Sequence, residues 1–239
     1  MRFTEETITD GVLARPFTLD DIPGVVWTPP QASEDLPLIL FGHGGGQHAQ
    51  APGATARARR FVSAGFAVAA IDVPGHGNRP PSEEHNRLRA AFRARMAAGE
   101  PAWQSLADYN YALVAETVPE WQATLDALLK LGYGPVGYCG TSMGTAIGMP
   151  LTAREPRIAA AVFGLAGLDS LAEAAAGLTV PVEFLLQWDD QLVSREQSLA
   201  LFDAIGSAEK TLHANPGNHG EVPAFELDSS LRFFARHLR

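Results

Sequence analysis

A serine between two glycines is the residue of this chain best suited to nucleophilic chemistry. The pattern Gly140-x-Ser142-x-Gly144 follows a short apolar run that ends at Cys139, and it precedes a stretch rich in small and apolar residues. A serine at the tip of a sharp strand-to-helix turn needs glycine on both sides, because a side chain there would collide with neighbouring backbone. Such a turn exposes the hydroxyl and aims a helix N-terminus at the developing negative charge. The pattern predicts a nucleophile at position 142.

A serine hydroxyl becomes a good nucleophile when a base takes its proton and a carboxylate orients that base. Downstream of Ser142, the aspartate pair Asp189 and Asp190 follows one predicted strand, and His219 follows the next in a loop bounded by glycine. Asp169, after the preceding strand, is a third candidate for the carboxylate. The sequence therefore offers one base and three acids.

The other six histidines are interpreted as structural. His43 precedes the run Gly44-Gly45-Gly46 and is expected to hold that loop by hydrogen bonds, and His213 lies within a strand and is expected to pack there. The remaining four are expected in loops or at the surface: His48, His76, His85 and His237. Because no pair has the spacing of a metal site, neither a metal nor another cofactor is predicted.

The candidate residues must be positioned by alternating strands and helices. Apolar runs typical of buried strands lie at 36–41, 66–72, 135–139, 157–163 and 180–187, and a last strand is predicted at 210–213. Helices are predicted at 54–64, 119–131, 143–154, 168–176, 194–205 and 223–238. This alternation favours parallel strands with right-handed crossovers. Residues 1–30 predict two or three antiparallel edge strands, and 31–35 a polar loop.

The segment 78–118 is too long for an ordinary connection, which predicts a lid or a substrate-binding insert. The alternative is an extra pair of surface helices without a role in binding. Its basic stretch could recognise a substrate carboxylate or solvate a helix face, and the second interpretation is favoured; the arginines are Arg87, Arg89, Arg93 and Arg95. Residues 1–239 are otherwise predicted to form one domain.

Composition limits the possible partners. With 239 residues, of which 46% are hydrophobic, the chain can build a sizeable core. A net charge of −9 argues against nucleic acid and anionic membranes, which are bound by an excess of Lys and Arg. The sequence contains neither a membrane-length apolar run nor a visible signal peptide, so a cytoplasmic location is expected. Cys139, the single cysteine, excludes an intrachain disulfide. No prediction of oligomeric state follows.

Four motifs together resemble an α/β-hydrolase over nearly the whole chain. They are His43-Gly44-Gly45-Gly46, Gly140-Thr141-Ser142-Met143-Gly144, Asp190-x-x-Val193 and Asn218-His219-Gly220. The resemblance implies an α/β fold with a mostly parallel central sheet, helices on both faces and an antiparallel N-terminal edge. The compact size is most similar to the small esterase and dienelactone-hydrolase-like branch. Dienelactone hydrolases use a cysteine nucleophile, so the serine at 142 favours ordinary ester chemistry.

The resemblance also implies roles for individual residues. Ser142 corresponds to the nucleophile and His219 to the base. Asp190 corresponds to the acid because Val193 follows it at the usual offset, with Asp189 as the alternative. The backbone N–H of Met143 and one from Gly44 or Gly45 are expected to form the oxyanion hole. A weaker hypothesis assigns a substrate pocket to four aromatic residues: Trp103, Tyr109, Tyr111 and Trp188.

The sequence therefore predicts a serine hydrolase that cleaves a small carboxylic ester through an acyl-enzyme, without a cofactor. The same residues serve thioesterases, lactonases, peptidases and acyltransferases, and some members of the fold only bind ligands. These activities stay open as alternatives.

Overall fold

A ten-stranded sheet runs through the part of the protein that the computed structural model describes, residues 1–31 and 35–239. Most of the predicted polar loop at 31–35, and the side chain of the candidate acid Asp169, lie outside the described residues. The strands are β1 (Arg2–Phe3), β2 (Thr7–Thr9), β3 (Val12–Leu19), β4 (Ile22–Thr28), β5 (Leu38–Gly42), β6 (Ala67–Ile71), β7 (Val136–Gly140), β8 (Ile158–Gly164), β9 (Val182–Gln187) and β10 (Lys210–Asn215).

The strand order is β1-β3-β4-β6-β5-β7-β8-β9-β10, with β2 also paired to β3. Strands β5 to β10 are parallel, whereas β1 to β4 pair antiparallel and β4 joins β6 antiparallel. This confirms the predicted sheet and its N-terminal edge. The edge has four strands instead of two or three, because the short β1 and β2 pair with different parts of β3.

Helices cover both faces of the sheet. They are α1 (Pro52–Ser63), α2 (Glu83–Ala97), α3 (Trp103–Leu129), α4 (Met143–Arg154), α5 (Ala172–Ala176), α6 (Arg195–Ala204) and α7 (Phe225–His237), with a 3₁₀ turn (Asp169–Leu171) before α5. Leu38 and Leu40 of β5 belong to an apolar cluster that includes residues of α3, α4 and α6, whereas Ile39 and Phe41 belong to a second cluster with residues of α1 and α7. Alternate residues of one strand thus enter two apolar cores, as the continuous apolar runs predict.

The predicted start of a helix at Pro119 is wrong, because α3 runs through it without interruption. A proline inside a helix removes one hydrogen bond and costs about 3 kcal/mol, whereas a proline in the first turn is tolerated. For this reason Pro119 suggested the start of a helix. Here Leu113, Val118 and Trp121 are almost fully buried on the core side of α3. Burying side chains of this size contributes about 1.5–3 kcal/mol each, which outweighs the proline.

The insert predicted at 78–118 consists of α2 and the N-terminal half of α3. The Ser82 hydroxyl accepts the His85 N–H at 3.1 Å and caps α2, and the His85 ring packs edge-on against Tyr109 of α3. The C-terminal half of α3 belongs to the core of the sheet, so the insert is continuous with the main domain. Its action as a lid stays a prediction. Among the described helices, none combines the length and the apolar character that crossing a membrane requires.

Candidate active site

Ser142 lies in the tight turn between β7 and α4, with the strained backbone angles φ 57° and ψ −120°. A Cβ atom on Gly144 would lie 2.5 Å from the Gly42 carbonyl oxygen, and one on Gly140 would lie 2.9 Å from the Gly144 carbonyl. Both contacts are closer than packed atoms allow. Side chains at positions 140 and 144 would therefore collide with the backbone, which is the steric reason that the sequence pattern suggested for the two glycines.

Two buried side chains brace this turn, and neither was predicted from the sequence. The Tyr138 hydroxyl donates to the Gly144 carbonyl at 2.7 Å. The Thr145 hydroxyl accepts the Gly164 N–H at 2.8 Å and can donate to the carbonyls of Gly140 or Gly164. Gly148 leaves room for the Tyr138 ring, because a Cβ on Gly148 would lie 1.9 Å from that ring.

The three residues proposed for nucleophile, base and acid meet at the carboxyl edge of the sheet. The Ser142 hydroxyl donates to His219 Nε2 at 2.8 Å, and His219 Nδ1–H donates to Asp190 Oδ2 at 2.6 Å. These groups come from the loops after β7, β9 and β10. The Asp190 side chain is 2% exposed and that of His219 is 13% exposed. The arrangement can move a proton from the hydroxyl to a ring that a carboxylate orients.

The surroundings of Asp190 favour its ionised form. Burial opposes ionisation, but hydrogen bonds from His219 and from the backbone N–H groups of Leu192 and Val193 outweigh it. The pKa of Asp190 therefore lies below its ordinary value. Val193, the residue that marked Asp190 in the sequence, supplies one of these donors at 3.0 Å.

Asp189, the alternative acid, turns towards the neighbouring loop instead. Its Oδ2 accepts the Gly217 N–H at 3.3 Å, and its own N–H donates to the Gly217 carbonyl. Gln191 has a related role that the sequence did not indicate, since its Oε1 accepts the His219 N–H at 3.0 Å. Both contacts hold the loop that carries His219.

The glycine loop after β5 is held by His43, as the sequence suggested. His43 Nδ1–H donates to the Gly44 carbonyl at 3.0 Å, and Nε2 accepts the Val73 N–H at 3.2 Å. Burial lowers the pKa of His43 to about 4, so the ring is neutral near pH 7. Gly45 and Met143 both line a cavity with Ser142. Met143 is the first residue of α4, where a backbone N–H has no acceptor within the helix.

Ser142 lines three of the cavities that the described residues form. The insert cavity, of about 830 Å³, lies beside α2 and α3 and includes Gly45 and Met143. The α6 cavity, of about 230 Å³, includes Leu171 and Val193. The histidine cavity, of about 330 Å³, includes His219.

The four aromatic residues of the pocket hypothesis lie in different places. Trp103 lines the α6 cavity and Tyr109 lines the insert cavity. Tyr111 is 67% exposed and lines none of the three cavities. Trp188 is also outside them and stacks under the Arg195 guanidinium, 4.0 Å from the ring centroid. Two of the four aromatic residues, Trp103 and Tyr109, therefore line a cavity that contains Ser142.

Three of the other histidines make contacts within the fold. His85 and His237 were expected in loops or at the surface, which is wrong: His85 is buried in α2 against Tyr109, and the largely covered His237 in α7 packs on Phe233. His213 pairs with Glu226 at 2.7 Å. No cluster of potential metal ligands occurs among the described side chains, which leave out residues 32–34 and Asp169.

Known proteins share this fold over the whole chain. Residues 37–217 match the family described as alpha/beta hydrolase fold. A cold-adapted esterase from an Arctic intertidal metagenomic library is 34% identical, with a TM-score of 0.82 and 100% of both chains covered. No curated protein is similar enough in sequence to match.

Two more distant structures show similarity of fold alone. Est1E from Butyrivibrio proteoclasticus, solved with ferulic acid, is 17% identical with a TM-score of 0.69, covering 93% of this chain and 98% of its own. A dienelactone hydrolase from Anabaena variabilis is 16% identical with a TM-score of 0.67, covering 98% and 99%. The family match and the 34% identical relative show that the chain belongs to the α/β-hydrolase fold family, as its four motifs indicated.

Proposed function

We propose that the protein is a serine hydrolase that cleaves a small carboxylic ester through an acyl-enzyme. The observation that carries the proposal is the pair of hydrogen bonds from Ser142 to His219 and from His219 to Asp190. The 34% identical relative, named as an esterase, supports the same reaction.

In the first half of the reaction, Ser142 Oγ attacks the ester carbonyl carbon while His219 Nε2 takes its proton. Asp190 stabilises the positive charge on the ring, and N–H groups of Met143 and of Gly45 or Gly44 donate to the carbonyl oxygen as it becomes negative. The intermediate then expels the alcohol, which receives the proton from Nε2. Ser142 is left acylated.

In the second half, a water molecule gives a proton to His219 Nε2 and attacks the acyl carbon. The second tetrahedral intermediate releases the acid when Nε2 returns the proton to Ser142 Oγ. The net reaction converts an ester and one water into an acid and an alcohol. The strained turn at Ser142 helps by holding the hydroxyl in position beside His219.

The test is the intact mass of the protein after incubation with a small fluorophosphonate, which reacts with activated serines. We expect one adduct on the wild type and none on Ser142→Ala or His219→Ala. Ser105→Ala is the matched control, since Ser105 lies on α3 outside the lining of the three cavities, and it should form the adduct. Turnover of 4-nitrophenyl esters should fall by at least about 10³-fold in the first two variants. An adduct on Ser142→Ala, or none on folded wild type, would contradict the proposal.

A further inference from the structure

The four arginines of α2 fall into two groups of two, one with ion-pair partners among the described residues and one without. Arg87 pairs with Glu84 at 2.6 Å on the solvent side, and Arg95 pairs with Glu100 at 3.6 Å. Arg89 and Arg93 instead line the insert cavity, which also contains Ser142. Neither forms an ion pair within the part of the chain that the structure describes.

The position of Arg89 and Arg93 is defined by their spacing and contacts. Residues four apart share one face of a helix, and the Arg89 guanidinium also donates to the Asn86 side chain at 2.9 Å. Phe92 and the buried Tyr109 line the same cavity. Arg89 is half-buried and Arg93 is exposed, and two guanidinium forks on one helix face can hold a carboxylate by charged hydrogen bonds.

The rest of the cavity offers little negative charge against this cationic pair. Asp72 is the only carboxylate among the described residues that line the cavity. Its Oδ1 already accepts the Ala49 N–H at 2.7 Å, and it is 7% exposed. A positive site is therefore present in a protein whose net charge is −9. Because an unneutralised pair of guanidinium groups repels itself, an anionic ligand is the natural complement.

The direction of the reaction indicates which part of the substrate reaches the arginines. The leaving alcohol must face His219, which lines the histidine cavity and not the insert cavity. The oxyanion faces Met143 and Gly45. The acyl substituent can extend from Ser142 into the α6 cavity or the insert cavity. The insert cavity, of about 830 Å³ against about 230 Å³, accommodates the longer chain, and it is the one that Arg89 and Arg93 line.

We propose that Arg89 and Arg93 form a carboxylate subsite, and that the substrate is a half-ester of a dicarboxylic acid. This inference rests on the proposed esterase function. The free carboxylate of the acyl chain binds the two guanidinium groups while the ester carbonyl lies at Ser142. Half-ester and water then give a dicarboxylate, a neutral alcohol and one proton.

The first test compares kcat/KM for the monomethyl ester of hexanedioic acid with that for methyl hexanoate, its uncharged analogue of similar length. We expect the wild type to favour the half-ester by at least about tenfold, the size of one charged hydrogen bond. This ratio should fall towards one in Arg89→Gln/Arg93→Gln and stay unchanged in the control Arg87→Gln. A wild-type ratio of one or below, or an unchanged ratio in the double variant, would overturn the subsite.

The second test measures binding without turnover, by calorimetry with the Ser142→Ala protein and the same half-ester. Binding should weaken by at least about tenfold when Arg89→Gln/Arg93→Gln is added. Fluorophosphonate labelling of the wild type separates the two proposals. A labelled enzyme without preference for the half-ester overturns the carboxylate subsite alone, whereas folded protein that forms no adduct overturns the esterase proposal and this inference with it.

Discussion

The Thr145 hydroxyl accepts the backbone N–H of Gly164 at 2.8 Å, which ties the first turn of α4 to the end of β8. Both residues are buried. Because Ser142 N–H donates to the Gly164 carbonyl at 2.9 Å, the same glycine holds the candidate nucleophile. The turn at Ser142 is therefore supported from the neighbouring strand as well as by its own glycines.

Thr145→Val should destabilise the protein by about 1–3 kcal/mol, because it leaves the Gly164 N–H buried without an acceptor. For a chain of this length, the melting temperature should fall by about 2–4 °C for each kcal/mol. Differential scanning calorimetry measures the change. Thr152→Val is the matched control on the same helix: among the described residues the buried Thr152 hydroxyl has no partner, so its loss should be neutral or stabilising. Equal melting temperatures for the two variants would contradict the bracing role.

Asp190→Asn should lower kcat by about 10³- to 10⁴-fold, because an amide cannot stabilise the charged ring of His219 in the required orientation. Steady-state kinetics on a 4-nitrophenyl ester measures the loss. The control is the neighbouring Asp189→Asn, which touches the Gly217 backbone and should stay within about tenfold of the wild type. A larger loss in the control than in Asp190→Asn would transfer the acid role to Asp189.

Glu183 should make stability depend on pH. Burial raises the pKa of Glu183, despite hydrogen bonds from Ser230 and Ser229 and the nearby His213. Because the pKa is raised in the folded state, the protonated Glu183 contributes its full stabilisation of the fold below the ordinary pKa near 4.5. This contribution is lost as the pH rises through the pKa of the folded state. Glu183→Gln keeps the neutral form, so its melting temperature should rise relative to the wild type from pH 4.5 upwards.

The control for this pH series is Glu173→Gln, since Glu173 is exposed on α5. The difference in melting temperature between Glu173→Gln and the wild type should stay constant over the same pH range. A constant difference for Glu183→Gln as well would rule out the proposed dependence of stability on the ionisation of Glu183.

Cys139 should resist alkylation in the folded protein. Burial raises the pKa of its thiol to about 12, so almost no thiolate is present at pH 8. Intact mass after incubation with iodoacetamide should show no adduct in buffer and one adduct in guanidinium chloride. Rapid labelling of the native protein would show that this strand opens readily, and would make the thiol a competing nucleophile.

The residues proposed for catalysis were predictable from the sequence because each follows a strand in a distinctive local pattern. The glycines around Ser142, the valine after Asp190 and the glycine after His219 are all readable as short motifs. In a parallel sheet the carboxyl ends of the strands share one edge, so residues that follow different strands come together. Alternating apolar runs and helices were likewise enough to predict the sheet and its two covered faces.

Contacts between distant segments were decided by the tertiary structure. Helical spacing predicts that Arg89 and Arg93 share a face, but the packing of α2 against α3 decides that this face meets the cavity of Ser142. Similarly, the aromatic composition of the insert could not distinguish Tyr109, which lines that cavity, from the exposed Tyr111. Local sequence determines periodicity within an element, whereas the rotation of one element against another depends on side chains far away in the chain.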